Sequence, residues 1–368
     1  MIMTQKRSPN SLKLRVSVLF MIKSIQNAPF MSSDLPFAEI SGVTLQIFDL
    51  SFYQLIATKT FLYFQKYSFC MSELQQARVL VGKNVVITGG SSGIGKALAI
   101  GFARQGADVA IIGRDEAKLK STVELITSQG NRCRYTTGDV ANFNSINSAI
   151  QKLLGEMGAI HVLINNAGLS RMKTFAKMPV EMLDTLIDTN IKGVMYTTLA
   201  VLPSMVEKQE GAIINTSSIA SINYASYMVA YSTTKAAVNA FTESLAQEVK
   251  SKKITVNAIL PSFVDTPLLR LGTTDEQVKM LNPIQPEELI PYYLFFATPA
   301  GKKVTGTLVN IEEMMELWKL KSKLSEGIPA SWSTLEPIVK ENANPKTYAN
   351  LKANKKIIDY ILDSQVKN

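Results

Sequence analysis

Tyr231 and Lys235 stand four residues apart in the run VAYSTTKAAV. In a helix that spacing brings both side chains onto one face. A phenol has a reference pKa of about 10, too high to exchange protons readily at neutral pH. A neighbouring ammonium stabilises the phenolate and is expected to lower that value. A tyrosine and a lysine so placed can serve as general acid and base. The spacing is common in helices, so it needs corroboration from the rest of the chain.

A second stretch, GGSSGIGKA at Gly89–Ala97, fits three phosphate or acyl chemistries at once. Gly89-x-Ser91-x-Gly93 matches the nucleophile elbow of a hydrolase. Gly90-x4-Gly95-Lys96 matches a Walker phosphate loop up to its last position. With Thr88 in front, T-G-x-x-x-G-I-G is a dinucleotide-binding turn. All three require a strand, a tight glycine turn and a helix. The flanks NVVIT and KALAIGFAR supply them, so the local sequence does not choose.

Absences elsewhere narrow the choice. The hydrolase needs a histidine after its acid, and the chain has one histidine, His161, at the start of an apolar run. The Walker loop needs Ser or Thr to hold magnesium, and Ala97 occupies that position. In the dinucleotide reading, Gly89, Gly93 and Gly95 let the backbone approach a pyrophosphate. The helix starting near Gly93 then points its free N–H groups at the phosphate. At the end of the second apolar run, where a carboxylate would bind a ribose 2′-hydroxyl, the sequence has Gly113 and Arg114. A guanidinium there suits a 2′-phosphate through charge-assisted hydrogen bonds, which favours NADP(H) over NAD(H). Asp115 follows and leaves a carboxylate close by.

The elements that must position these groups recur regularly from Met71 to about Ile311. Apolar runs at Asn84–Thr88, Asp108–Gly113, Arg132–Val140, His161–Ala167, Gly211–Ser218, Ile254–Pro261 and Gly306–Ile311 read as strands. Helical stretches at Gly93–Gln105, Asp115–Gln129, Phe143–Met157, Pro179–Val206, Met228–Ser251 and Pro286–Ala297 separate them. Several of the strands are continuously apolar without strict alternation, as parallel strands covered on both faces are. Seven such units predict a doubly wound α/β domain of Rossmann type with a seven-stranded parallel sheet.

The 368 residues, 46% hydrophobic and 19% charged, allow one large domain with additions. No apolar run approaches the ~18–20 residues of a membrane span. The formal charge is +9, but no basic cluster interleaved with aromatics appears mid-chain, which argues against a nucleic-acid partner. Two scattered cysteines, Cys70 and Cys133, and a lone histidine argue against a disulfide framework and a zinc site. A reducing, cytoplasmic setting follows. An organelle is the alternative if the acid-free basic stretch 1–33 is a targeting segment.

Together these motifs resemble the short-chain dehydrogenase/reductase family over about residues 80–311. Thr88-Gly89-x3-Gly93-Ile94-Gly95, Asp139-Val140, Asn165-Asn166-Ala167-Gly168, Asn190 in TNIKG, Ser218, Tyr231 and Lys235 occur in the family's order. The resemblance implies an oxidoreductase that interconverts a carbonyl and a secondary alcohol with NADP(H). Tyr231 would be the general acid/base. Lys235 would lower its pKa and hold the nicotinamide ribose. Ser218, thirteen residues before the tyrosine, rather than Ser217, would polarise the substrate carbonyl. Asn190 would anchor a water in the proton relay. The turn from Gly89 through Ser91, Ser92, Gly93, Ile94 and Gly95 would hold the pyrophosphate. Asp139 and Val140 would flank adenine, while Asn166, Ala167 and Gly168 would line the cofactor. Val264 and Thr266 would meet the carboxamide.

Two departures stand out. Ser262 follows Pro261 where the family has glycine, and Ile311-Glu312-Glu313 replaces the family's glycine-rich ending. The mobile substrate lid is placed at Leu268–Asn282, whose Leu and Met residues suit an apolar substrate such as a 3-oxoacyl or other lipid carbonyl. A homodimer or homotetramer is expected. A cofactor-binding scaffold without turnover is the alternative. Residues 1–70 read as an extension, disordered or absent from the native product, and a chain starting at Met71 is expected to fold. The charged, helix-prone tail 312–368 is expected to bury an apolar stripe of Leu317, Leu320 and Leu324, with Trp318 and Trp332 as anchors. A structural arm is preferred there over a catalytic lid.

Overall fold

The computed structural model describes residues 78–271, 273–321 and 331–366, with 318–321 and 363–366 in backbone only. The expectations for residues 1–70, and those for Trp318, Leu320 and Leu324, therefore fall on side chains outside the described set. The described chain begins β1 (Asn84–Thr88), α1 (Gly93–Arg104), β2 (Asp108–Gly113), α2 (Glu116–Thr127), β3 (Cys133–Thr137), α3 (Phe143–Met157) and β4 (Val162–Asn165). It continues with α4 (Val180–Ile187), α5 (Gly193–Lys208), β5 (Gly211–Thr216), α6 (Val229–Val249) and β6 (Ile254–Leu260). Two short helices follow, α7 (Pro267–Arg270) and α8 (Asp275–Leu281), then α9 (Ile290–Ala297) and β7 (Leu308–Asn310). The C-terminal region adds α10 (Ile311–Lys321), α11 (Trp332–Asn342), α12 (Pro345–Ala353) and α13 (Lys355–Val366).

All seven strands pair in parallel, in the order β3-β2-β1-β4-β5-β6-β7. Among the described residues the chain enters the sheet at β1, runs out to β3 and returns to β4 beside β1. The order reverses between β1 and β4, and the loops leaving their C-terminal ends diverge there. Such a switch point opens the crevice in which this architecture binds ligands.

Successive strand residues face opposite layers. Val85 and Ile87 pack with α1, α2 and α9, whereas Val86 packs with α3, α5 and α6. Helix starts are set locally. Asp115 accepts from the Lys118 N–H at 3.1 Å to cap α2, and Asn142 accepts from the Ser145 N–H at 3.0 Å to cap α3.

The expected strand runs overreach at their C-terminal ends. Gly138–Val140, Asn166–Ala167, Ser217–Ser218 and Pro261 leave the sheet and form the loops above it. The expected helix Pro179–Val206 is two helices joined by a π-helical turn at Asp188–Lys192. Bonds of wider pitch at one turn are typical of functional sites, and Asn190 lies in this one.

The C-terminal helices are part of the core. Met314, Leu317, Trp332, Leu335, Val339, Leu351, Ile357, Ile358, Ile361 and Leu362 are buried in one cluster with α1, α9 and one face of the sheet. Tyr360 of α13 meets Phe295 of α9 edge to face, with centroids 5.3 Å apart. The buried part of the expected stripe, Leu317, thus lies against its own chain.

Candidate active site

β1 ends in Thr88, and the chain turns at Gly89 with φ 67. That left-handed backbone suits glycine, and a Cβ there would come within 2.9 Å of the Ala167 Cα. A Cβ on Gly95 would strike the Gly89 carbonyl oxygen. The glycines therefore close β1, α1 and the β4 loop into a cradle that side chains would fill. No acid occupies the first turn of α1, and the Ser92 side chain does not cap it. The backbone N–H groups at that helix start remain directed into the cradle, as binding of a pyrophosphate requires. These residues fit a dinucleotide.

Thr88 joins the two walls. Its hydroxyl accepts from the N–H groups of Asn166 and Ala167, each at 3.1 Å. The Asn166 amide returns bonds to the carbonyls of Thr88 and Gly89 at 3.1 and 3.3 Å. Thr88 belongs to the glycine-turn motif, but this joining role is not visible in the sequence because it depends on β1 and β4 being neighbours. Thr266 caps α7 and sets its Cγ2 3.0 Å from where a Gly93 Cβ would lie, so the start of α7 closes one side of the turn. Val264, buried, bridges to Ile284.

At the rim, Arg114 is exposed just beyond β2. Asp115 beside it is committed to capping α2 and to an ion pair with Lys118 at 3.1 Å, and these interactions hold its carboxyl below the ordinary range. The Asp139 carboxylate accepts from the Ala141 N–H at 3.0 Å, which shapes its turn. Val140 is buried against Gly193 at the start of α5.

The proton-bearing groups collect above β5. Ser217 is buried and donates to the Lys235 carbonyl at 3.1 Å, which turns it into the helix packing. Ser218 points the other way, within hydrogen-bonding reach of the Tyr231 hydroxyl. Its Oγ also accepts from the Ala220 N–H at 3.1 Å, which orients it. Lys235 is 4% exposed. Its Nζ donates to the Thr216 carbonyl at 2.8 Å and lies 5.9 Å from the centre of the Tyr231 ring. Burial lowers this lysine to about 8. Tyr231 keeps part of its surface open to the cleft, yet burial raises its phenol above the ordinary value, with the Ser218 hydrogen bond opposing. The expected lowering by Lys235 does not set the phenol in the protein alone: burial, which penalises the phenolate, is the dominant cause, and only Ser218 opposes it.

Asn190 is fully buried. Its amide donates to the Leu169 carbonyl at 2.8 Å and the Thr234 hydroxyl at 3.0 Å, and accepts from the Leu169 N–H at 2.8 Å. Both of its amide protons are taken. The effect is to hold the loop after β4 so that Gly168 faces the Lys235 ammonium, where a Cβ would lie 3.4 Å from Nζ.

His161, by contrast, precedes β4 at the opposite end of the sheet and accepts from the Asn84 N–H at 3.0 Å. Ser91 lies beyond the C-terminal end of β1, a strand length of about 16 Å away at ~3.3 Å per residue. The hydrolase triad is therefore excluded by topology.

A doubly wound parallel sheet, a glycine cradle at its switch point and a buried Ser–Tyr–Lys cluster beside it define a Rossmann-type oxidoreductase. The family described as short chain dehydrogenase matches residues 83–277, more than half of the chain. The 3-oxoacyl-[acyl-carrier-protein] reductase FabG of Chlamydia muridarum is 32% identical over 241 residues, covering 64% of this chain and 97% of that protein. The uncharacterized oxidoreductase YhdF of Bacillus subtilis is 35% identical over 242 residues, 63% of this chain and 83% of that protein. Among solved structures, a short-chain type dehydrogenase/reductase from Mycobacterium marinum superposes with a TM-score of 0.60 at 30% identity, covering 64% of this chain and 95% of that one. A variant of actinorhodin polyketide ketoreductase with NADPH superposes with a TM-score of 0.59 at 27% identity, over 62% and 95% of the two chains. The chain belongs to the short-chain dehydrogenase/reductase family, whose members bind a nicotinamide cofactor. Among the described residues no helix is long and apolar enough to cross a membrane.

Proposed function

We propose that the protein is an NADP(H)-dependent reductase of an apolar carbonyl, with a 3-oxoacyl or related lipid carbonyl as the substrate class. The observation that carries this reading is the meeting of Ser218, Tyr231 and Lys235 beside the glycine cradle. The cofactor supplies the hydride. Ser218 polarises the carbonyl oxygen, and Tyr231 delivers the proton to it. The raised phenol stays protonated at neutral pH, which suits donation in the direction of reduction. Lys235, fixed by Thr216, supplies a positive charge beneath the phenol. Asn190 holds the β4 loop in place.

The apolar substrate is supported by the rim. Met172 after β4, Tyr224 and Tyr227 after β5, and Phe263, Leu271 and Met280 after β6 are exposed. All lie on the three loops above the cluster. Such a concentration of exposed apolar side chains marks a binding surface. The relatives that reduce 3-oxoacyl groups on a carrier protein point to the same class. Met195 and Leu199 leave an exposed apolar strip one turn long on α5, which supports self-association into a dimer or tetramer.

The test is consumption of reduced nicotinamide with a panel of ketones and 3-oxoacyl thioesters, using both cofactors. NADPH should give the higher kcat/KM, because Arg114 is free to meet a 2′-phosphate while Asp115 is engaged in its helix cap. Arg114→Asp is expected to reverse the ratio by removing a charge-assisted contact worth ~1.5–3 kcal/mol, roughly ten- to a hundredfold. Equal use of the two cofactors by the wild type would overturn this assignment.

The two serines separate cleanly. Ser218→Ala should lower kcat about 10²-fold or more, the scale of one oxyanion-stabilising donor. Ser217→Ala should act on stability by about 1 kcal/mol, one buried hydrogen bond. A larger kcat loss in Ser217→Ala would reassign the serine.

A further inference from the structure

The two departures from the family pattern, Ser262 and Glu312, are fifty positions apart in the chain and meet in the fold. The Ser262 hydroxyl donates to the Glu312 carboxylate at 2.6 Å. The other carboxylate oxygen lies 3.5 Å from the Asn223 amide nitrogen, which donates to it. Glu312 is itself fixed. Its N–H donates to the Asn310 side-chain oxygen at 3.0 Å, and it sits in the first turn of α10, where the helix dipole favours a negative charge.

Both partners of this carboxylate are hinge points of the site. Asn223 closes the turn that begins at Ser218, with its N–H bonded to the Ile219 carbonyl at 2.8 Å. Ser262 opens the segment that becomes the lid. Pro261 before it accepts from the Ile219 N–H at 2.9 Å, and Phe263 after it accepts from the Ile284 N–H at 3.0 Å. The carboxylate therefore fastens the root of the lid to the turn that carries Ser218, through a short charge-assisted bond. The same contact draws the Ser262 side chain toward α10.

We infer that Glu312 is a positioning residue of the active site, which sets the lid over Ser218 and Tyr231 through Ser262 and Asn223. The C-terminal region thereby contributes to substrate binding through its first turn, while its other helices complete the core. This rests on the carbonyl-reductase reading for its catalytic consequence, but the clamp itself is measurable without turnover.

The experiment compares the full chain with Glu312→Ala, Glu312→Gln and Ser262→Gly. Hydrogen exchange of peptides spanning Phe263–Leu281 is read against peptides from β1 and α6. Exchange in the lid should rise about tenfold in Glu312→Ala and Ser262→Gly, the scale of one lost charge-assisted bond, with β1 and α6 unchanged. Glu312→Gln, which keeps an acceptor for Ser262, should restore most of the protection. With carbonyl substrate, Glu312→Ala should raise KM about tenfold while kcat stays within about threefold and cofactor Kd is unchanged. Unchanged lid exchange, or a rise spread equally over β1 and α6, overturns the proposal. So does an unchanged KM in Glu312→Ala where the wild type is active. A wild type inactive on every carbonyl, with the confined rise in exchange still seen, sinks the reductase reading and leaves the clamp standing.

Discussion

Tyr231→Phe is expected to lower reductive kcat by about 10²–10⁴-fold, the range of a single positioned acid–base group. The phenylalanine ring fills the same space over Lys235, so only the proton and its bond to Ser218 are lost. Cofactor Kd, read by titrating the fluorescence of the reduced nicotinamide, should stay within about threefold, which marks loss of a group used in the transition state alone. The pH dependence has a defined sign. Burial raises the phenol, so its donating form persists above the ordinary tyrosine range and is lost only as pH climbs through the raised value. Reduction should therefore fade at alkaline pH, and oxidation of the alcohol, which needs the phenolate, should gain. A Tyr231→Phe enzyme with near-normal kcat would remove the tyrosine from the mechanism.

Removal of the chain after Ile311 is expected to prevent stable folding. The lost segment contributes Met314, Leu317, Trp332, Leu335, Val339, Leu351, Ile357, Ile358, Ile361 and Leu362 to the core. It also uncovers α9, whose Phe295 is 1% and Phe296 0% exposed in the complete chain. Emptying a single buried Leu or Ile site costs about 2–5 kcal/mol, against a typical net stability of ~5–15 kcal/mol. Leu335→Ala is the milder probe and should shift the denaturation midpoint by that single-site amount with turnover kept at low temperature. A truncated chain with the full-length midpoint would show that α10–α13 are not part of the cooperative unit. The route by which this packing reaches the site is short. Tyr293 of α9 hydrogen bonds the Thr216 hydroxyl at 2.8 Å, and the Thr216 carbonyl holds Lys235.

The alternation of largely apolar runs with helical stretches determined the doubly wound parallel sheet, because strands covered on both faces are mostly apolar and lack strict alternation. The glycine turn and the Tyr–Lys spacing were legible for a similar reason: each is local, and backbone conformation or helix pitch alone dictates the residue types. The strand ends were less legible. Asn166, Ser217 and Pro261 are turn-forming residue types that directly adjoin the apolar runs, so the runs were extended past the ends of β4, β5 and β6. The π-helical turn at Asp188–Lys192 was invisible, since no residue pattern in DTNIK distinguishes a π turn from an α turn. Its wider pitch is sustained by the bonds of Asn190 to Leu169 and Thr234, groups 21 and 44 residues away.

Contacts between distant segments belong to the tertiary structure alone. The sequence showed that the tail has an apolar stripe needing cover, and the fold supplied the cover from α9 and the sheet. It showed a tyrosine, a lysine and two serines, of which the family's spacing favours Ser218; the fold adds the contact the spacing does not carry, Ser217 turned into the Lys235 carbonyl and Ser218 left beside the phenol. It showed Ser262 and Glu312 as two separate oddities. Their 2.6 Å bond exists because β6 and β7 are neighbours in the sheet, so the residues that follow each strand emerge side by side.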